Sequence, residues 1–242
     1  MTRVPQKLVD PPIVETICEL RFQESTVAAH AAVVLYSEIR NEFPQIENLP
    51  HARIPVELLL ADRNLAFATT HRFVGDSVVV SAGPRTVNFT RGAPYPGWDV
   101  FRKEAMNVFE KALKVFGEKV ERIGIKYTNF IEAPTGTDSL VMSKAKISLG
   151  DLDLANKPIL VRTEIRPNPA QTAIVQLVAQ AQLNGPAGQQ VGLAMDVDSI
   201  AFGPFSGADE ITAALERAHS YEKEVFFSLL SDDTIKKYKP TY

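Results

Sequence analysis

The chain is poor in the residues that most small-site chemistry uses. In 242 residues it has one cysteine (Cys18), one tryptophan (Trp98) and four histidines, His30, His51, His71 and His219. A single cysteine excludes an intramolecular disulfide and a thiolate metal site, and fits a reducing compartment. Four scattered histidines keep the supply of general bases small. No apolar run approaches the ~20 residues of a membrane-spanning helix, and the opening MTRVPQKLVDPP has no stretch of signal-peptide length. A cytoplasmic protein without membrane contact is expected. Neither sign of charge dominates: 26 basic against 29 acidic residues, net −3, makes no global field that would recruit polyanions, although a local patch is still open. The tight motifs are missing too: no phosphate loop ending in Lys-Ser/Thr, no HExxH, no paired CxxC, no GxSxG, and no GxGxxG after a strand. The expectation is no cofactor, no metal and no assignable catalytic residue.

What is present is core. With 45% hydrophobic residues the chain can bury a sizeable interior. Within PPIVETICELRF, Pro11 to Phe22, alternation puts Val14, Thr16, Cys18, Leu20 and Phe22 on one face of a strand. A helix capped by Ser25 or Thr26 is predicted next, with Val27, Ala31, Val34, Leu35 and Ile39 on its stripe and Pro44 beyond its end. From Val56 to Thr90 the runs VELLLA, LAFATTHRF, SVVVSA and RTVNFT, separated by turn formers, predict a four-stranded antiparallel meander. Trp98, Phe101, Ala105, Val108, Phe109, Ala112 and Phe116 then mark a long amphipathic helix stopped by Gly117. Ile123, Ile125, Tyr127 and Ile131 share a face of the next strand. The stretch from Thr137 to Gly150 fits a short helix or a strand. LVRTEIRP, QTAIVQLVAQAQL and VGLAMDVDSIAF read as strands, with Asn184-Gly185-Pro186 between the last two, and a final helix runs from near Asp209 to before Asp232. The fold class is α+β, in two topologically similar halves, 1–118 and 119–242, each mostly antiparallel sheet packed on a long helix. Val14-Glu15-Thr16-Ile17 echoes Val120-Glu121-Arg122-Ile123, but the two stretches bury opposite parities, so the likeness is one of topology rather than of aligned letters.

Candidate sites are few, and each competes with a structural role. Gly75-Asp76-Ser77 lies between strand-like runs, where it reads as a hairpin turn rather than a nucleophile. Asp196 and Asp198 share a strand face, but two carboxylates do not make a metal site. Arg72, Arg85 and Arg91 punctuate the meander, with Tyr95 and Trp98 behind them. Basic groups interleaved with aromatics are what a single-stranded nucleic-acid site uses, so Arg72, Arg85, Arg91 and Tyr95 are the candidate binding residues, against cross-strand pairing as the plainer role. His219, beside the last helix's stripe, reads as a packing or hydrogen-bonding residue, and the tail IKKYKPTY as a frayed end. Glu15 and Glu19 stand about 13 Å apart along a strand, too far to share a proton, and are expected to pair with Arg122 or Lys126.

Four stretches, PPIVETICELRF, VNFTRGAPYPGWDVF, ERIGIKYTNFIE and AHSYEKEVFF, together resemble a sporadically distributed family of uncharacterised prokaryotic proteins of about this length. The resemblance spans nearly the whole chain in order but carries over no activity and no site residue. The family's patchy distribution looks like that of accessory genes of mobile-element or defence type. The leading expectation is a non-enzymatic binding or interaction protein that recognises a protein partner or itself. A nucleic-acid-binding module and a hydrolase with an unrecognised site are the alternatives. A pocket with two or more convergent titratable groups would favour the last.

Overall fold

A computed structural model of the chain describes residues 4–23, 29–185 and 188–242. A short strand β1 (Lys7–Leu8) precedes Pro11-Pro12 and β2 (Ile13–Phe22), in which Thr16, Cys18, Leu20 and Phe22 are buried as the alternation predicts. Helix α1 (Ala31–Ile39) buries Ala31, Ala32, Leu35 and Ile39. Val34, expected on that stripe, is exposed, because the buried line runs through Ala32, Leu35 and Ile39 at three- and four-residue steps and Val34 falls beside it. Ser25, Thr26 and Val27 lie outside the described residues.

The meander exists but begins elsewhere. Its strands are β3 (Gln45–Asn48), β4 (His71–Val74), β5 (Val78–Ala82) and β6 (Thr86–Gly92), and the VELLLA run is instead the short helix α2 (Val56–Ala61) between the first two. Pro55 supplies a helix-compatible start, and the run buries only Leu59. Of LAFATTHRF only the end, from His71, is strand. Helix α3 (Trp98–Phe116) buries the predicted stripe from Phe101 to Phe116 and stops at Gly117, whose φ of +96° suits glycine. The chain continues through β7 (Lys119–Glu132), β8 (Ile159–Asn168), β9 (Gln171–Gly185), β10 (Gly188–Ser206), α4 (Gly207–Leu229), α5 (Asp232–Lys237) and β11 (Pro240–Thr241). The stretch from Thr137 to Gly150 holds one 3-10 turn, Ser139–Met142. Pro186, expected between β9 and β10, lies outside the described residues.

Nine strands form one antiparallel sheet in the order β3-β4-β5-β6-β2-β7-β10-β9-β8, so the fold is α+β. One register row, Phe73, Val80, Phe89, Cys18, Ile125, Ser199 and Ala173, crosses seven strands. Leu35 of α1, Phe101 and Phe109 of α3 and Leu215 of α4 share the core that covers this face. The adjacent row, Glu47, Arg72, Ser81, Asn88, Glu19 and Gly124, points to the opposite side. Residue 118 falls between α3 and β7, and the sheet runs unbroken past it through the β2–β7 pairing. β2 pairs with β6 and β7 with β10, and a long helix follows β6 and β10.

The tail does not fray. Ser231 caps α5 by accepting from the Thr234 amide, Ile235 is buried, β11 pairs with β1, and Lys239 Nζ lies 2.7 Å from Asp10 Oδ2. The amino- and carboxy-terminal segments thus hold each other in a two-stranded ribbon. Among the described residues no helix is long and apolar enough to cross a membrane.

Candidate functional site

A cleft of about 790 Å³ opens on the helix-covered side, between the terminal ribbon, the first turn of α3 and the middle of α4. Its floor is a line of hydroxyls and one imidazole. Tyr127, 3% exposed, projects from β7 in the register row of Arg91 and Thr16. Tyr95 reaches it from the loop after β6, with the two hydroxyl oxygens 2.9 Å apart. The Tyr127 hydroxyl is in turn 3.2 Å from Nδ1 of His219 on α4. Protons can run either way along this line. Tyr95 donates to Tyr127 and Tyr127 to Nδ1, leaving the His219 proton on Nε2, or Nδ1–H donates to Tyr127 and Tyr127 to Tyr95.

Three residues beyond His219, and so on the same face of α4, stands Glu222. It is 5% exposed and lines the cleft, and no hydrogen bond or ion pair joins its carboxyl to another described residue. Phe226, one turn further on, supplies apolar wall. Opposite, α3 begins at Gly97, whose φ of +95° selects glycine; no side chain caps the helix. The first amides of α3, at Trp98, Asp99 and Val100, thus have no helical acceptor where these residues line the cleft. Trp98 stacks on His219 and donates from Nε1 to a Glu216 carboxylate oxygen at 2.9 Å.

Burial sets the protonation. It pushes His219 down to about 4, helped by the nearby Lys223 ammonium. It pushes the Glu222 carboxyl well above its usual range, an effect that Lys223 only partly opposes. The Tyr95 and Tyr127 hydroxyls are also raised by burial. Burial thus favours the uncharged form of every group on the floor: a neutral imidazole, a protonated carboxyl and two phenols, which together offer proton donors and acceptors.

The candidate residues are scattered by comparison. Arg72 lies on the open sheet face, 3.7 Å from Glu47. Arg85 donates to the Phe22 carbonyl and to Glu121, and its guanidinium lies 4.7 Å from the centre of the Phe67 ring. Arg91 faces the helices, with Nη1 2.6 Å from Glu104 on α3. Each arginine is paired with a carboxylate, and they do not share one face. Of the four, Tyr95 is the one that lines the cleft. His219 packs and hydrogen-bonds as expected. Trp98, expected in the core, is half-buried at the rim.

The remaining motifs take structural places. Gly75-Asp76-Ser77 is the β4–β5 hairpin turn, closed by the Gly75 amide on the Val78 carbonyl. On the open face Lys126 pairs with Asp196 at 2.9 Å, while Arg122 lies between Glu19 at 3.7 Å and Asp198 at 3.8 Å. Glu19 also takes Arg21 at 2.8 Å, whereas Glu15 makes no ion pair among the described residues. No group of three or more ligating residues suited to a metal occurs among the described residues. Sequence reasoning missed Tyr127 and Glu222 as site residues. The available signal was Glu222 itself, a carboxylate on the apolar stripe that runs through Ile211, Leu215, Ala218, Val225 and Phe226. No protein-family model and no curated protein matches this chain.

Proposed function

We propose that the protein binds a small planar molecule bearing a carbonyl or carboxylate group, in the cleft floored by Tyr95, Tyr127, His219 and Glu222. The observation that carries this reading is the buried, unpartnered Glu222 carboxyl beside the hydroxyl–imidazole line. The Glu222 oxygens reach the cleft rather than being sealed off, so a ligand that accepts the carboxyl proton takes the place of solvent there. The uncharged floor favours acceptors, the uncapped start of α3 adds a preference for negative charge, and Trp98 and Phe226 supply apolar surface for a ring. The test is a titration of Trp98 fluorescence with benzoate, nicotinate and nicotinamide. Saturable change in the native protein, weakened about tenfold in Tyr127→Phe or Glu222→Gln, is expected, one lost hydrogen bond being worth about 1.4 kcal/mol. No saturable change with any of these probes would overturn it.

A second reading, a proton-transfer enzyme acting on the same ligand, is favoured by one observation. Glu222, whose burial favours keeping its proton, lies one helical turn from His219, whose imidazole is neutral at pH 7. Chemical change of a bound compound, followed by NMR, would distinguish it from simple binding. The nucleic-acid reading is not favoured, because Arg72, Arg85 and Arg91 are each neutralised and lie apart. Membership of the sporadically distributed prokaryotic family, an accessory setting and a cytoplasmic location belong to the same proposal and rest on sequence alone. The matching strand pairings of the two halves support an ancestral duplication.

A further inference from the structure

The sheet has two edges of different kinds. At one end β3 is four residues long, which leaves little backbone to pair. At the other, β8 is ten residues long, and among the described residues no strand covers its outer side. Arg162 to Asn168 are all exposed, as is Leu160. Natural edges of this length are protected by a proline, a bulge or a lysine. β8 carries Pro167 and a register shift near its far end, but from Ile159 to Ile165 its ladder with β9 is regular and contains neither proline nor lysine.

We propose that β8 pairs with β8 of a second copy of this chain, antiparallel, about a two-fold axis through Thr163. The register follows from two constraints. A two-fold perpendicular to the sheet keeps the helix-covered faces of both copies on one side, so each residue must meet a partner of its own face and the axis must pass through a residue. Ile159, Val161, Thr163 and Ile165 share the core side, the last three being in register with Leu177, Val175 and Ala173 of β9. Arg162 and Glu164 point to the open side with Gln176 and Ile174. Centred on Thr163, Arg162 of each copy lies opposite Glu164 of the other, a carboxylate that within its own strand also takes Arg166 Nε at 2.6 Å, while Val161 lies opposite Ile165 and Leu160 opposite Arg166. Centred on Arg162 or on Glu164, like charges face each other: Arg162 on itself, or Glu164 on itself with Arg162 on Arg166. Centring on Ile165 sets Pro167 opposite Thr163, two residues from the axis, whereas about Thr163 it falls opposite Ile159 at the end of the ladder. The sequence of this edge is thus complementary to itself about Thr163. The dimer extends one nine-stranded sheet into eighteen strands and leaves the cleft on each copy free, so it is independent of the ligand-binding reading.

Sedimentation of the full chain over a concentration series tests it, with Arg162→Glu, Glu164→Arg and the double exchange. The native chain is expected to dimerise, each single exchange to weaken the dimer about tenfold by placing like charges opposite at two symmetric positions, and the double exchange to restore it. Restoration also excludes misfolding as the cause of the loss. Cys18 is fully buried, so Thr163→Cys adds one accessible thiol, which is expected to link two copies by a disulfide under mild oxidation. A native chain that stays monomeric, a double exchange that does not restore the dimer, or a Thr163→Cys dimer that does not cross-link would each overturn the proposal.

Discussion

His219 lies flat on Trp98, with ring centroids 4.0 Å apart and 11° between the planes. Because Trp98 is the chain's one tryptophan, the whole indole fluorescence reports on the rim of the cleft and on the charge of the ring beneath it.

Imidazolium quenches indole emission more strongly than neutral imidazole does. Fluorescence is therefore expected to fall on acidification with a midpoint near 4, where burial places His219, and not near 6.5, the ordinary value of an imidazole. His219→Gln should abolish the step. A midpoint near 6.5 in the native protein would show His219 to be solvated and the floor to be open.

Glu222 and His219 make stability depend on pH in opposite directions. The raised Glu222 carboxyl binds its proton more tightly in the folded than in the unfolded chain, so its contribution is complete below the unfolded value near 4.5 and is lost as pH rises towards the folded value. The lowered His219 contributes fully above 6.5 and loses its contribution as pH falls to about 4. Glu222→Gln keeps the uncharged shape and removes the first dependence. Relative to the native chain it should gain stability as pH rises above 4.5, with a slope of up to ~1.4 kcal/mol per pH unit. Thermal unfolding at pH 5 and pH 8 measures this, and equal differences at the two pH values would contradict it.

Gly83 marks a close backbone crossing. A Cβ built there would meet the Ala68 carbonyl oxygen at 2.0 Å, where the segment between α2 and β4 passes over the β5–β6 turn. Gly83→Ala should destabilise by roughly 2–4 kcal/mol, because backbone rather than a flexible side chain must move. Denaturant unfolding checks it, and a cost within ±0.5 kcal/mol of zero would show that the crossing can relax.

Local periodicity made β2, β7 and α3 legible, since Cys18, Leu20 and Phe22 alternate and Phe101, Ala105, Val108 and Phe109 recur at helical steps. It failed at VELLLA, where consecutive apolar residues suit either element and Pro55 and the single buried Leu59 decided. Distant partners were not legible. The tail is ordered because Pro240 and Thr241 pair with Leu8 and Lys7. Arg91 is neutralised by Glu104 on a helix that the strand pattern does not place. Tyr127 meets His219 across 92 residues. The site was hidden because its members come from a loop, a strand and a helix, brought together by sheet order alone.

The most direct measurement is a ¹⁵N NMR titration with benzoate and nicotinamide that follows the indole N–H resonance of Trp98, a single peak in this chain. Binding in the cleft predicts saturable shifts of that peak and of the backbone amides of Trp98, Asp99 and Val100, reduced in Glu222→Gln. Saturable shifts confined to residues outside the cleft, or no saturable shift at all, would contradict it.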